Sequence, residues 1–162
     1  MAALPAFQTL RAESRDNHRV VRIEAQNELI ATRADVWELL AEPQHLADWW
    51  PDYSTIRPDR RGLAEGARWQ VVRGRTPGLL RRPGGEGMIV ITKVERELRL
   101  AWHDLQQGFE AEIRLEPAPE GHTRATLAVE APAWRIVAEG LRSTPRHALA
   151  RLHALCQTAA SL

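Results

Sequence analysis

The chain has a single cysteine, Cys156, so it closes no internal disulfide and builds no zinc site on paired thiolates. A reducing cytoplasm is the simplest setting for it. Lysine is almost missing; Lys93 is the only one, and arginine carries the rest of the positive charge. With 22 basic and 21 acidic residues the formal charge is +1, too weak a field to draw the molecule to nucleic acid or an anionic membrane. No run approaches the ~18 consecutive apolar residues of a membrane span. The first 17 residues, with Arg11, Glu13, Arg15 and Asp16, hold no apolar stretch behind a basic start. They are expected to be a polar, frayed leader rather than a secretory signal. There is no Gly-x-Ser-x-Gly elbow, no phosphate loop and no dinucleotide fingerprint. No set of histidine, cysteine and carboxylate is read as a metal site, and His147 and His153 are not at i, i+3 or i, i+4. Nothing therefore calls for a cofactor or a metal.

What the chain does have is alternation. Val21, Ile23, Ala25, Leu29 and Ala31 alternate with Arg22, Glu24, Gln26 and Glu28, which predicts a half-buried strand with Asn27 on its apolar face. Thr32 and Asp35 open a helix on which Val36, Leu39 and Leu40 form a stripe beside Trp37. Pro43 stops it, and a second short turn ends at Trp49-Trp50-Pro51. Further strands are expected over 54–58, 67–73, 88–95, 98–104, 109–115 and 123–131. They are joined by short hairpins, apart from a long solvated loop over Gly74–Gly87 with Leu79 and Leu80 at its centre. Trp69, Met88, Val90, Thr92, Trp102, Asp104 and Phe109 are placed on the inward strand faces, and His103 on the outward one. Trp134, Val137, Ala138 and Leu141 begin a helical region. Thr144-Pro145 then starts a long amphipathic helix carrying Ala148, Leu149, Leu152, Leu155, Cys156 and Ala159.

The order of strand, two small helices, about six strands and a long terminal helix resembles the helix-grip arrangement. At the residue level the chain resembles the polyketide cyclase/dehydrase branch of the START-related (SRPBCC) superfamily. The resemblance rests on Ala34-Asp-Val-Trp-Glu-Leu-Leu40, Glu42-Pro43 and Leu46-Ala-Asp-Trp-Trp-Pro51. It continues through Gly66-Ala-Arg-Trp69, Val94-Glu-Arg-Glu-Leu-Arg-Leu-Ala-Trp102 and Gly121-His-Thr-Arg124. It spans about residues 20–160. It implies an α+β fold in which a curved antiparallel sheet of six or seven strands wraps the terminal helix, with two short helices after the first strand. A single domain over 18–162 follows. The family hosts aromatic-ring cyclases, lipid carriers and hormone receptors without one shared catalytic motif, so fold is better specified than function.

From this we expect an elongated, mostly apolar cavity between helix and sheet. Its expected lining is Asn27, Trp49, Trp69, Met88, Val90, Thr92, Trp102, Asp104, Phe109, Trp134 and Leu141. The expected activity is binding or transport of a small hydrophobic molecule (a lipid, an aromatic polyketide or an isoprenoid) by a cytoplasmic monomer or homodimer. A competing structural reading makes Trp49 and Trp50 plugs between helices and sheet, and has Asn27 and Asp104 satisfied by neighbours or water. Two other activities are open. One is a cyclase/dehydratase drawing its acid or base from Asp104, Tyr53 or His103. The other is a protein-interaction module using an apolar patch at Leu79 and Leu80.

Overall fold

The alternating segments become seven antiparallel strands in the computed structural model, which describes residues 19–74 and 85–160. They are β1 (Val20–Leu29), β2 (Tyr53–Arg57), β3 (Arg68–Arg73), β4 (Glu86–Glu95), β5 (Arg99–Asp104), β6 (Phe109–Pro117) and β7 (Thr123–Pro132). The order across the sheet is β1-β7-β6-β5-β4-β3-β2, so successive strands from β2 to β7 are neighbours and β1 closes against β7. The leader over 1–17 and the centre of the Gly74–Gly87 loop, with Leu79 and Leu80, lie outside the described residues.

Between β1 and β2 come α1 (Arg33–Ala41), a 3-10 turn (Pro43–His45) and α2 (Leu46–Trp49). The Thr32 hydroxyl accepts the Asp35 N–H at 3.2 Å and donates to the Asp35 carboxylate at 2.7 Å, a cap that fixes where α1 starts. After β7 follow α3 (Ala133–Ala138), a 3-10 turn (Leu141–Ser143) and the long helix α4 (Thr144–Ala160). α4 lies across β1 and β7 and touches α2. Its Ala148, Leu149, Leu152 and Cys156 are all buried. The curved sheet gripping a terminal helix is the expected α+β helix-grip fold.

Register decides which side chains face inward. One row runs Trp69–Ile89–Asp104–Phe109 across β3, β4, β5 and β6. The next runs Ile91–Trp102–Ala111–Val129–Ile23 from β4 to β1. The opposite face meets water and carries ion pairs such as Arg22–Glu130 at 2.6 Å and Arg99–Glu112 at 3.3 Å.

This register corrects the expectation for β4. Ile89 and Ile91 are buried, and Met88, Val90 and Thr92 point to the outer face. The strand is apolar on both phases, so alternation alone does not choose between them. A register shift between Ile91 and Lys93 then changes the phase. Val94, paired with Leu100, faces the core, and projecting its phase back along the strand wrongly turns Met88, Val90 and Thr92 inward.

Candidate functional site

The tryptophan pair ends α2 because Pro51 cannot continue the helix. Both side chains fall beneath the sheet. Trp50 is stacked between Phe109 (5.6 Å between ring centres, 19°) and Tyr53 (5.7 Å, 28°). Trp102 meets it edge-on at 5.1 Å. Trp49 contacts Trp50 at 6.1 Å and Trp102 at 5.9 Å, again edge to face. Rings of this size bury ~150–250 Å² each, so this end of the interior is filled by indole and phenyl surface. Trp69 is also buried, and its indole N–H donates to the Gly62 carbonyl at 2.9 Å, which ties the β2–β3 loop down. The indole N–H groups of Trp49 and Trp102 are buried without an aligned partner, each a cost of about 1–3 kcal/mol that the ring packing offsets.

Against these rings stands a polar network. Asp104 has 0 % exposure and accepts from Arg73 Nη2 at 2.6 and 2.8 Å. It also accepts from the Tyr53 hydroxyl at 2.8 Å and from the backbone N–H groups of Gln106 and Gln107 at 3.0 and 2.8 Å. A carboxylate so fully engaged has no lone pair left for a substrate proton. Burial, and then the charge of Asp104, push the Tyr53 hydroxyl well above its ordinary value, so it stays a neutral donor. Both groups belong to the framework.

The same arginine extends the network outward. Arg73 Nη1 donates to Gln106 Oε1 at 2.6 Å, and its Nε lies 3.3 Å from Asp52. Gln107 Nε2 donates to Asp52 at 2.9 Å and to Glu139 at 3.2 Å. Those two carboxylates fix the amide orientation, because a flipped amide would set oxygen against oxygen. Gln107 Oε1 is then buried with no partner. Burial raises the Asp52 carboxyl above its ordinary value, with Arg73 and Gln107 opposing.

A cavity of about 330 Å³ opens at this point, at the N-terminal end of α4. Trp50, Pro51 and Leu141 form its apolar side; Asp52, Gln107, Glu139 and His147 form much of its polar side. Another, of about 580 Å³, lies at the far end of α4, where Ile30, Leu39 and Cys156 meet Asp35, Glu38, Glu42 and His45. Burial pushes the Cys156 thiol there up to about 11, so it is a poor nucleophile.

Of the residues expected at a site, Trp49, Trp69, Trp102, Phe109 and Asp104 are interior, and Leu141 borders the cavity at the head of α4. Asn27 is half-buried on the inner face of β1, opposite Ala125. Trp134 is a second correction. It is 44 % exposed under the Arg135 guanidinium at 4.6 Å, because the short α3 buries Ile136 instead. His103 faces outward, 3.6 Å from Glu110. Asp52, Gln107 and Glu139 escaped the sequence reading, which takes Arg73 only as the start of the arginine-bearing loop and His147 only as an unsuitable metal partner for His153. They come from separate loops, a strand end and the first turn of α4, and only the folded chain brings them together. The one local hint is that Gln106-Gln107 occupies a hairpin too short to carry them away from the sheet. Among the described residues no group of three or more His, Cys, Asp or Glu side chains is disposed to hold a metal ion. No helix among them is long and apolar enough to cross a membrane.

Residues 20–157 match a family described as polyketide cyclase / dehydrase and lipid transport. Among solved structures, a protein from Nitrosomonas europaea superposes with TM-score 0.70 at 22 % identity, covering 88 % of this chain and 97 % of its own. An AHSA1-like protein from Aeromonas hydrophila gives 0.60 at 19 % identity, over 83 % and 94 % of the two chains. Ara h 8.0201 gives 0.66 at 12 % identity, over 86 % and 99 %. At these identities the likeness is one of fold. No curated protein matches the chain.

Proposed function

Because the chain belongs to the polyketide cyclase / dehydrase and lipid transport family, we propose that it binds and carries a small, mostly apolar molecule at the head of α4. The observation that carries this reading is the cavity of about 330 Å³ between the aromatic stack and the Asp52–Gln107–Glu139 network. That volume falls within the few hundred Å³ usual for small-molecule sites, where apolar walls supply affinity and a few polar groups set orientation. Trp50 and Leu141 would take the apolar body of the ligand. Trp49, Trp102 and Phe109 pack against Trp50 and back that wall, with Asp104 locking β5 behind it, Trp69 further off on β3 and Asn27 further along the inner face. Lipids, aromatic polyketides and isoprenoids all meet the requirement, and a cytoplasmic monomer or homodimer is the form envisaged.

Native mass spectrometry of protein purified from its own host tests the proposal. A co-purified small molecule is the expected result. An empty protein that also fails to bind hydrophobic fluorophores at micromolar concentration rejects it.

A cyclase or dehydratase is the second reading, and the raised Asp52 carboxyl favours it. An acid that holds its proton beyond the ordinary range, on a cavity wall, is suited to giving and taking one. Turnover of a poly-β-ketone should then fall about a hundredfold in Asp52→Asn, and unchanged turnover removes Asp52 from any mechanism.

A further inference from the structure

We propose that the cavity of about 580 Å³ at the far end of α4 is a second binding site, which takes a small protonated amine with an apolar body. It is separate from the site at the head of α4 and does not depend on it. One wall is a single face of α1. Asp35, Glu38, Leu39 and Glu42 stand at i, i+3, i+4 and i+7, so three carboxylates line up along the space. Glu38 and Glu42 make no hydrogen bond or ion pair among the described residues, and the Asp35 carboxylate accepts only from the neutral Thr32 hydroxyl. The row is unfavourable for the helix itself. Glu38 and Glu42 repel at i, i+4, and Glu42 caps the C-terminus of α1, where the helix dipole disfavours an anion and the last turn holds no basic residue.

The opposite wall acts in the same direction. It is the C-terminal end of α4, through Cys156 and Ala159, whose free carbonyls add roughly half a negative charge. Among the described residues no arginine or lysine lines the space, and His45 is hydrogen-bonded to Asp48 at 2.8 Å. A bound cation would relieve the repulsion along α1 and meet the end of α4 at once. Apolar surface shares the cavity. Ile30, 44 % exposed, lies beside Leu39 and Ala159 and gives a hydrocarbon body a place to rest. Cys156 closes the floor, 1 % exposed, its thiol without a hydrogen-bond partner among the described residues. Burial, and then the charge of Asp35, keep that thiol protonated, so the carboxylate stands close above the floor. Carboxylates alone would hold any cation; the floor beside them selects one that carries hydrocarbon.

A matched series of naphthalenemethylamine, naphthalenemethanol and naphthalenecarboxylate tests this. Binding is titrated by NMR at neutral pH and read at the Leu39 and Ala159 backbone amides. The amine should bind about tenfold more tightly than the alcohol, the value of a few part-exposed charge contacts together, and the carboxylate should bind weakest. Added salt should narrow the gap. An alcohol or carboxylate that binds as well as the amine overturns the inference. So does an amine that fails to bind, or one whose shifts fall at the Trp50 indole instead; none of these results counts against the site at the head of α4. Glu38 and Glu42 are exposed, so the double variant Glu38→Gln, Glu42→Gln should fold as the parent does. In it the ratio of amine to alcohol affinity should collapse toward one, and a ratio that persists overturns the role given to these carboxylates.

Discussion

Asp104 and Asp52 reach for the same arginine and end in opposite conditions. Asp104, at the floor of the network, is sealed from water and accepts from a guanidinium, a phenol and two backbone N–H groups. Asp52, at the rim, keeps 35 % of its side chain exposed, shares one amide with Glu139 and borders an open cavity. The floor is closed chemistry: both oxygens of Asp104 are fully engaged, so it holds the fold and binds nothing further. The rim is unfinished: Gln107 Oε1 has no donor, and a cavity opens against Asp52 and Glu139. Polar satisfaction, rather than polarity or burial alone, separates framework from site in this protein.

Breaking the floor should cost most. Asp104→Ala leaves Arg73, the Tyr53 hydroxyl and two N–H groups without their acceptor, and a loss of about 3–5 kcal/mol in urea unfolding is expected. A loss below ~1 kcal/mol would mean that the floor is not sealed. Next come the two faces of β4. Ile89→Ala, opposite Trp69 and Asp104, should cost about 2–5 kcal/mol, whereas Met88→Ala on the outer face should cost well under that. Equal losses would restore the inward reading of Met88. Tyr53→Phe removes one of the donors on Asp104 and keeps the ring stacked on Trp50; about 1 kcal/mol is expected from the same unfolding measurement.

The element order was legible because two signals agree along most of the chain. In β6, Phe109, Ala111, Ile113 and Leu115 alternate with charged residues, and their paired rows are buried as that pattern requires. In α4, Ala148, Leu149, Leu152 and Cys156 trace a helical stripe that does meet the sheet. The pattern failed where it was ambiguous. β4 is apolar on both phases and slips register after Ile91, so the choice rests on β3 and β5, which no local window contains. Asp104 was placed inward by its phase with Trp102, but the partners that make it structural sit on β2, β3 and the following turn. The rim was invisible for the same reason. Asp52, Gln107 and Glu139 are ordinary polar residues in three connecting segments, and hydrogen bonds across long sequence separations are what make them a cluster.

The rim itself yields the smallest and most directional effect. Burial raises the folded-state pKa of Asp52 above 3.8, so over a window beginning there the native carboxyl holds its proton while the unfolded chain has released it. The native state then binds more protons, and this residue's contribution to stability falls as pH rises through the window and is flat above it. Asp52→Asn removes the titration yet keeps an oxygen that accepts from Gln107 and faces Arg73. The stability of the variant relative to the parent should therefore climb with pH from 3.8 upward and then level off, with urea midpoints across a pH series as the readout. The opposite slope would mean that Arg73 outweighs burial at Asp52. The rim would then be as fully compensated as the floor, and the contrast between the two carboxylates would disappear.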